Sequence, residues 1–322
     1  MSIISKNKIQ SISAWEAADF KNNNTWKKVL NNEQVKELLE ALGNVKNLNK
    51  KFPNFSKKEF ILNTLGAELN SWAKELENGS GFMLLKNIPI HGLNEEDTNI
   101  LYYGLGLYLG EPVRQNPSGD LIGKVMNIGD LSDRQTRVYE TNAYLPYHSD
   151  PSDLVGLLCI RKAKSGGISS LISSHAMYNE ILDNYKEYLS ILYKPMYYPH
   201  LGGSEPALSP IYSFYENKMT CRYMRQYIEL GHDMMNSPLS NIEIEALDLM
   251  DFIMEQKNLR LDMMLEPGDL QLVNNYNVLH SRTSFEDYEK LSYRRKKLRL
   301  WLKSRHARNL GYIFQGRNGF PK

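Results

Sequence analysis

The chain has 322 residues, 42% apolar and 24% charged, enough material for a sizeable buried core. Its 39 basic and 37 acidic residues leave a formal charge of +2, too balanced for a protein that grips nucleic acid by neutralising phosphates. No run of 18 apolar residues suggests a membrane span, and the N-terminal stretch lacks the apolar block of a signal peptide. Two cysteines, Cys159 and Cys221, cannot form a disulfide framework. The expected setting is a reducing cytoplasm and the expected partner a small molecule, with homo-oligomer formation left open.

The first eighty residues read as a helical N-terminal extension. Val35, Leu38, Leu39 and Leu42 recur at helical spacing before Gly43. A second helix is predicted to open at Ser56, with Glu59 three residues on as in a capping box, and to carry Ile61, Leu65, Leu69, Trp72 and Leu76 to Asn78-Gly79. The period then changes. Gly81 to Leu85 is a short apolar run read as a buried strand, the start of a core domain over 81–322 that forms one structural unit with the extension.

Further strands are predicted at Leu121–Val125, Val155–Ile160, Ile168–Ser173, Leu270–Val273 and Lys297–Leu302, with Gly166-Gly167 and Pro267-Gly268-Asp269 as turns. Helices are predicted at Asn99–Leu109, His175–Leu192 and Ile242–Met254. Many short strands without βαβ alternation indicate an α+β fold of mainly β character, a jelly-roll or barrel with helices packed outside.

Among seven histidines, only His148 has a carboxylate two positions on, at Asp150. That spacing puts both side chains on one face of a strand. A non-haem Fe(II) centre needs two imidazoles and one carboxylate with open positions beside them, so a second histidine must come from another strand. His280, 130 residues beyond Asp150, is placed to supply it. Further on, residues 294–302 alternate: Leu298, Leu300 and Leu302 share one face, while Arg295, Lys297, Arg299 and Trp301 share the other. Two arginines about 13 Å apart on one face suit a dicarboxylate and an anionic substrate. Taken alone, the same run also reads as a basic edge strand.

In order and spacing these segments resemble the TauD/TfdA family of Fe(II)- and 2-oxoglutarate-dependent dioxygenases. The likeness rests on Gly81–Pro89, Leu107–Pro112, His148-Ser149-Asp150, Lys164–Ser169, Pro267-Gly268-Asp269, Asn274–Arg282 and Arg295–Leu302. It implies a double-stranded β-helix, with His148, Asp150 and His280 as catalytic metal ligands and Fe(II), 2-oxoglutarate and O2 as cofactor and cosubstrates. It further implies that Arg295, helped by Ser169, holds the distal carboxylate of 2-oxoglutarate. Arg299 would face the substrate or the other end of the cosubstrate, or be met by a protein carboxylate such as Glu266. Gln115 and Tyr144 stand where taurine dioxygenase has substrate-contacting His and Asn, which argues against taurine itself. A carboxylate at position 150, where related halogenases have a small residue, argues for oxygenation.

The stretch with Tyr197, Tyr198, Tyr212, Tyr215, Arg222, Tyr223, Arg225 and Tyr227 offers a tyrosine cage for a quaternary ammonium, or arginines, Arg225 among them, for a substrate anion. Rival readings are a zinc or manganese enzyme on the same triad, a non-catalytic binding protein of the same fold, or the same cofactors used for desaturation, epoxidation or ring closure. The first leaves Arg295 and Ser169 without a role.

Overall fold

The structure is a computed structural model that describes residues 4–129, 140–199, 206–312, 314 and 318–320. It mixes helices and sheets, with β-structure at its centre. The larger sheet runs in the order Lys27–Val29, Phe82–Lys86, Leu270–Asn274, Leu154–Arg161, Lys296–Ser304, Gly110–Pro112, with Ile122–Met126 also paired to Lys296–Ser304. The first pair is parallel and the others antiparallel. The smaller sheet runs Arg260–Met263, Ser169–Ser173, Val278–Arg282, Leu145–His148, all antiparallel.

Strand alternation sorts the side chains into layers. Met83, Leu85, Leu154, Leu158, Leu270, Leu272, Leu298, Leu300 and Leu302 pack outward against helices Asn32–Asn47, Leu65–Asn78 and Glu95–Leu109. Their neighbours Phe82, Leu84, Val155, Cys159, Val273 and Trp301 meet Leu171 and Val278 of the smaller sheet. Ile172, Leu279 and Tyr147, on that sheet's other face, pack with helices Ser174–Asn184 and Asn241–Met254. The order is thus helices, sheet, sheet, helices. By the same parity His148, Ser169, Gln271, His280, Arg282, Lys297 and Arg299 belong to the space between the sheets.

The expected strands are present with ends shifted by one or two residues, and the turn at Pro267-Gly268 forms, but Gly166-Gly167, expected as a turn, instead joins the strand Ser165–Gly166 to Ser169–Ser173 alongside Phe285–Glu286 and Val278–Arg282. Gly166, Gly167 and Gly268 have φ of +71°, +71° and +87°, conformations glycine adopts freely. The helix expected at Ser56 differs. Ser56 and Glu59 do make their reciprocal hydrogen bonds, but these close a single turn. The Tyr108 hydroxyl then donates to the Phe60 carbonyl and accepts from the Leu62 amide, and Asn44 Nδ2 donates to the Glu59 carbonyl, so the groups needed to propagate a helix are taken. The helix starts at Leu65, where the Glu37 carboxylate accepts from the Thr64 and Leu65 amides. The helix expected over His175–Leu192 breaks at Tyr185 (φ −144°) into Ser174–Asn184, a 3-10 turn at Lys186–Tyr188 and Leu189–Leu192. The first eighty residues, expected to be helical, also contribute the strand Lys27–Val29 to the main sheet. Among the described residues no helix is long and apolar enough to cross a membrane.

Candidate metal and cosubstrate site

His148 ends its strand with its Cα paired to that of His280, so ladder register alone brings the two imidazoles side by side. Their ring centroids are 4.3 Å apart. Asp150 lies just beyond the strand end, its amide donating to Oδ1 of Asn275 in the turn that precedes the His280 strand. One ligand atom from each of His148, Asp150 and His280 lies within 4.8 Å of the other two, and all three residues are buried.

The electrostatics suit a metal. His148 Nδ1 is 2.8 Å from the Pro146 carbonyl and so carries the proton, leaving Nε2 as the donor atom. Burial, reinforced by the neighbouring His280, pushes the His148 pKa down to about 4, which keeps the ring neutral at pH 7. Burial alone would raise the Asp150 carboxyl. The Arg299 guanidinium and the two imidazoles outweigh it and hold the group well below the usual carboxylate range. Asp150 Oδ2 is buried without a hydrogen-bond partner, with His280 Nε2 3.5 Å away. Two imidazole nitrogens and one anionic oxygen, converging on one another with an oxygen left unsatisfied, fit a divalent transition metal.

Arg299 is 7% exposed. Its Nη1 lies 3.2 Å from Asp150 Oδ1, and its Nε donates to Gln115 Oε1 at 2.8 Å. The protein carboxylate that meets it is therefore Asp150. Glu266, the expected candidate, lies exposed in the loop before the strand Leu270–Asn274 and pairs there with Lys162. Gln115 is buried, and its amide donates to the carbonyls of Leu121 and Arg299. Gly123 makes room for it: a Cβ there would come within 2.7 Å of Gln115 Oε1.

Arg295 is 3% exposed and packs over Phe285. Its amide donates to Asp287, while Nη1 has no partner. Burial lowers its pKa to about 10. Ser169, across the ladder from Arg282, donates its hydroxyl to Gln271 Oε1. Both residues thus reach the inter-sheet space, and Gln271 joins them.

Other expected residues are employed elsewhere. The Arg225 guanidinium is met by Glu229, Asp248 and Asp251, three carboxylates that satisfy its charge and make it a clamp between helices Arg225–Met234 and Asn241–Met254. Tyr144 is 43% exposed, with its hydroxyl on Glu255. The tyrosines do not form a cage: Tyr198, Tyr212 and Tyr223 belong to the outer core, their hydroxyls bonded to the Arg222 carbonyl, the Ser174 carbonyl and Asp251, while Tyr215 is exposed and Tyr227 packs at the margin. Residues 200–205 of that stretch lie outside the described residues. Sequence reasoning gave no role to Arg282, Lys297, Gln271 and Asn275. Lys297 could have been singled out by the alternation that places it beside Arg295 and Arg299.

The description "Taurine catabolism dioxygenase TauD, TfdA family" matches residues 44–301. FR-33289 synthase of Streptomyces rubellomurinus (strain ATCC 31215) is 29% identical over 315 residues, spanning 95% of this chain and 93% of that protein. The crystal structure of asparagine oxygenase in complex with Fe(II), 2S,3S-3-hydroxyasparagine and succinate superposes with a TM-score of 0.69 at 16% identity, over 86% of this chain and 93% of that one. Non-heme iron oxygenase OrfP in complex with Fe, succinate and (3S)-hydroxy-L-Arg superposes with a TM-score of 0.64 at 12% identity, over 86% and 94%. Those structures show a shared fold. With the family matched over most of its length and a buried His-Asp-His cluster at its centre, the chain belongs to the TauD/TfdA family and is an iron(II)- and 2-oxoglutarate-dependent dioxygenase.

Proposed function

We propose that this enzyme hydroxylates an unactivated C–H bond of a small polar metabolite, anionic or zwitterionic, converting 2-oxoglutarate and O2 to succinate and CO2 as it does so. The observation that carries the reading is the buried cluster of His148, Asp150 and His280 with Arg299 held against it. In this reading the three residues hold iron(II). Bound iron with 2-oxoglutarate and O2 supplies the oxidising power; the chain supplies position. The fold is read as a double-stranded β-helix over 81–322, in one unit with the first eighty residues, a reading supported by the two facing antiparallel sheets.

Pro146 keeps His148 in the tautomer that offers Nε2, and Asn275 fixes the Asp150 backbone. Arg295 and Ser169 receive the distal carboxylate of the cosubstrate. Arg299 and Gln115 stand in the wall of a cavity of about 430 Å³ that also presents Asn99, Glu140 and the Lys124–Glu95 ion pair, a polar lining suited to a small charged metabolite. The hydroxylated amino acids held by asparagine oxygenase and OrfP support a substrate of this size and charge.

The test is a screen of amino acids, betaines and sulfonates for substrate-dependent succinate release, with product mass read alongside. A gain of one oxygen supports hydroxylation, whereas loss of two hydrogens indicates desaturation or ring closure. A triad able to bind iron but releasing succinate with no member of these classes contradicts the substrate reading.

A further inference from the structure

Three buried basic side chains stand together between the sheets, and among the described residues none of them is in salt-bridge contact with a carboxylate. Arg282, Arg295 and Lys297 are 4%, 3% and 4% exposed. Arg282 Nε and Nη1 and Arg295 Nη1 have no hydrogen-bond partner, and none of the three makes an ion pair among the described residues. The two guanidinium carbons lie 4.7 and 5.1 Å from the Phe285 ring centroid, so one aromatic ring contacts both. Of the nearby acids, Asp269 accepts from Lys86 Nζ with both oxygens, while Asp287 accepts the Arg295 amide with Oδ1 and keeps a buried, unpartnered Oδ2 beside the cluster. The Cys159 thiol, whose residue faces Lys297 in the ladder, is kept protonated by burial and donates to the Leu265 carbonyl.

Lysine stems ordinarily carry their ammonium out to water. Lys296 instead finds an ion pair, its ammonium reaching Glu95 at 2.9 Å on the helix side. A register shift follows between Lys296 and Lys297, and Lys297 turns into the dry interior beside two guanidinium groups. An uncompensated buried charge is strongly unfavourable: burial lowers the pKa of all three groups, mutual repulsion adds to this at Arg282 and Lys297, and an anion entering between them would hold them charged. Ser169, paired with Arg282 in the ladder, adds a hydroxyl to the same wall.

We infer that Lys297, together with Arg282, closes with Arg295 on the distal carboxylate of the cosubstrate, and that Lys297 makes the pocket selective for a 2-oxo diacid over a 2-oxo monoacid. This rests on the reading that 2-oxoglutarate binds with that carboxylate at Arg295. Lys297 is a specificity-determining residue here, distinct from the metal ligands.

The experiment is calorimetric titration of the anaerobic iron(II)-loaded protein with 2-oxoglutarate and, separately, with 2-oxobutyrate, which lacks the distal carboxylate. Lys297→Met should weaken 2-oxoglutarate tenfold or more and leave 2-oxobutyrate within twofold, while the ligand-free variant melts at or above the wild-type temperature because a buried, unpaired amine has gone. Lys297→Gln, which retains a polar end, serves if the methionine variant does not fold, and should show the same selectivity loss. If both acids weaken equally, or the dissociation constant for 2-oxoglutarate is unchanged, the assignment of Lys297 is overturned. Wild-type protein that fails to bind 2-oxoglutarate would overturn the cosubstrate reading itself, a different result from a wild type that binds and a variant that binds equally well.

Discussion

Arg299 and Asp150 form a buried pair in which one carboxylate oxygen faces the guanidinium at 3.2 Å and the other faces His280. The pair divides the work of the carboxylate. Oδ1 is oriented by Arg299, itself fixed by Gln115, so Oδ2 is left to point at the imidazoles. Groups that orient a ligand in this way commonly contribute ten- to a hundredfold in metal affinity.

Arg299→Gln should therefore weaken iron(II) binding about tenfold or more, read by metal titration under argon. Its effect on substrate-coupled turnover should exceed the effect on uncoupled 2-oxoglutarate decay if Arg299 also meets the substrate. Unchanged iron affinity would show that Asp150 keeps its orientation without the guanidinium.

Arg295→Ala should raise the dissociation constant for 2-oxoglutarate about 30-fold to several thousandfold, the equivalent of roughly 2–5 kcal/mol for an anion left without its bidentate partner in a dry pocket. Lysine should restore only part of the affinity, since an ammonium cannot match the planar fork. An unchanged constant would move the distal-carboxylate site away from Arg295.

His175 gives a pH prediction independent of the metal. Its Nε2 donates to the Met219 carbonyl and its Nδ1 accepts from Ser13; burial, with the Arg308 charge nearby, pushes its pKa down to about 3. The unfolded chain takes up this proton near pH 6.5, so between about pH 6.5 and 3 the unfolded state binds more protons and stability falls as pH falls. The slope from this one group approaches about 1.4 kcal/mol per pH unit. In denaturant melts of the metal-free protein, His175→Gln should lower stability at pH 7 and flatten the decline below pH 6.5. An equally steep decline in the variant would assign the acid sensitivity to other groups.

Gly104 tests the helix layer. A Cβ at this position would sit 2.5 Å from the Phe60 ring, so Gly104→Ala should destabilise by about 1–3 kcal/mol through overpacking, despite the better helix propensity of alanine. A neutral or raised melting temperature would mean the turn at residues 56–62 yields easily.

What could be read from the chain follows the range over which each signal acts. The alternation in 295–302 is local, and the structure keeps it: Leu298, Leu300 and Leu302 face the helices while Lys297, Arg299 and Trp301 face inward. His148 and Asp150 carry their spacing with them, and the turn at Pro267-Gly268 announced the strand Leu270–Asn274, though not the following strand, Val278–Arg282, that holds His280. The partners of buried charges were not legible. Nothing near Arg225 in sequence announces Asp248 and Asp251 on another helix, and nothing near Arg299 announces Asp150, 149 residues away. The Ser56 helix failed for the same reason: its capping spacing was correct, but the Tyr108 hydroxyl, 48 residues from Phe60, took the backbone groups. The tyrosines near residue 200 looked like a cage because composition does not distinguish a ring lining a cavity from one filling a core.

The most direct test of the account is an anaerobic titration of wild type and Asp150→Ala with iron(II) followed by 2-oxoglutarate. The wild type should bind one iron, develop a weak visible absorption band only when both are present, and form succinate once O2 and a substrate are admitted. Asp150→Ala should fold, bind iron poorly and show neither band nor succinate. Near-normal iron binding and substrate-dependent succinate in that variant would contradict the assignment of His148, Asp150 and His280 as the metal site.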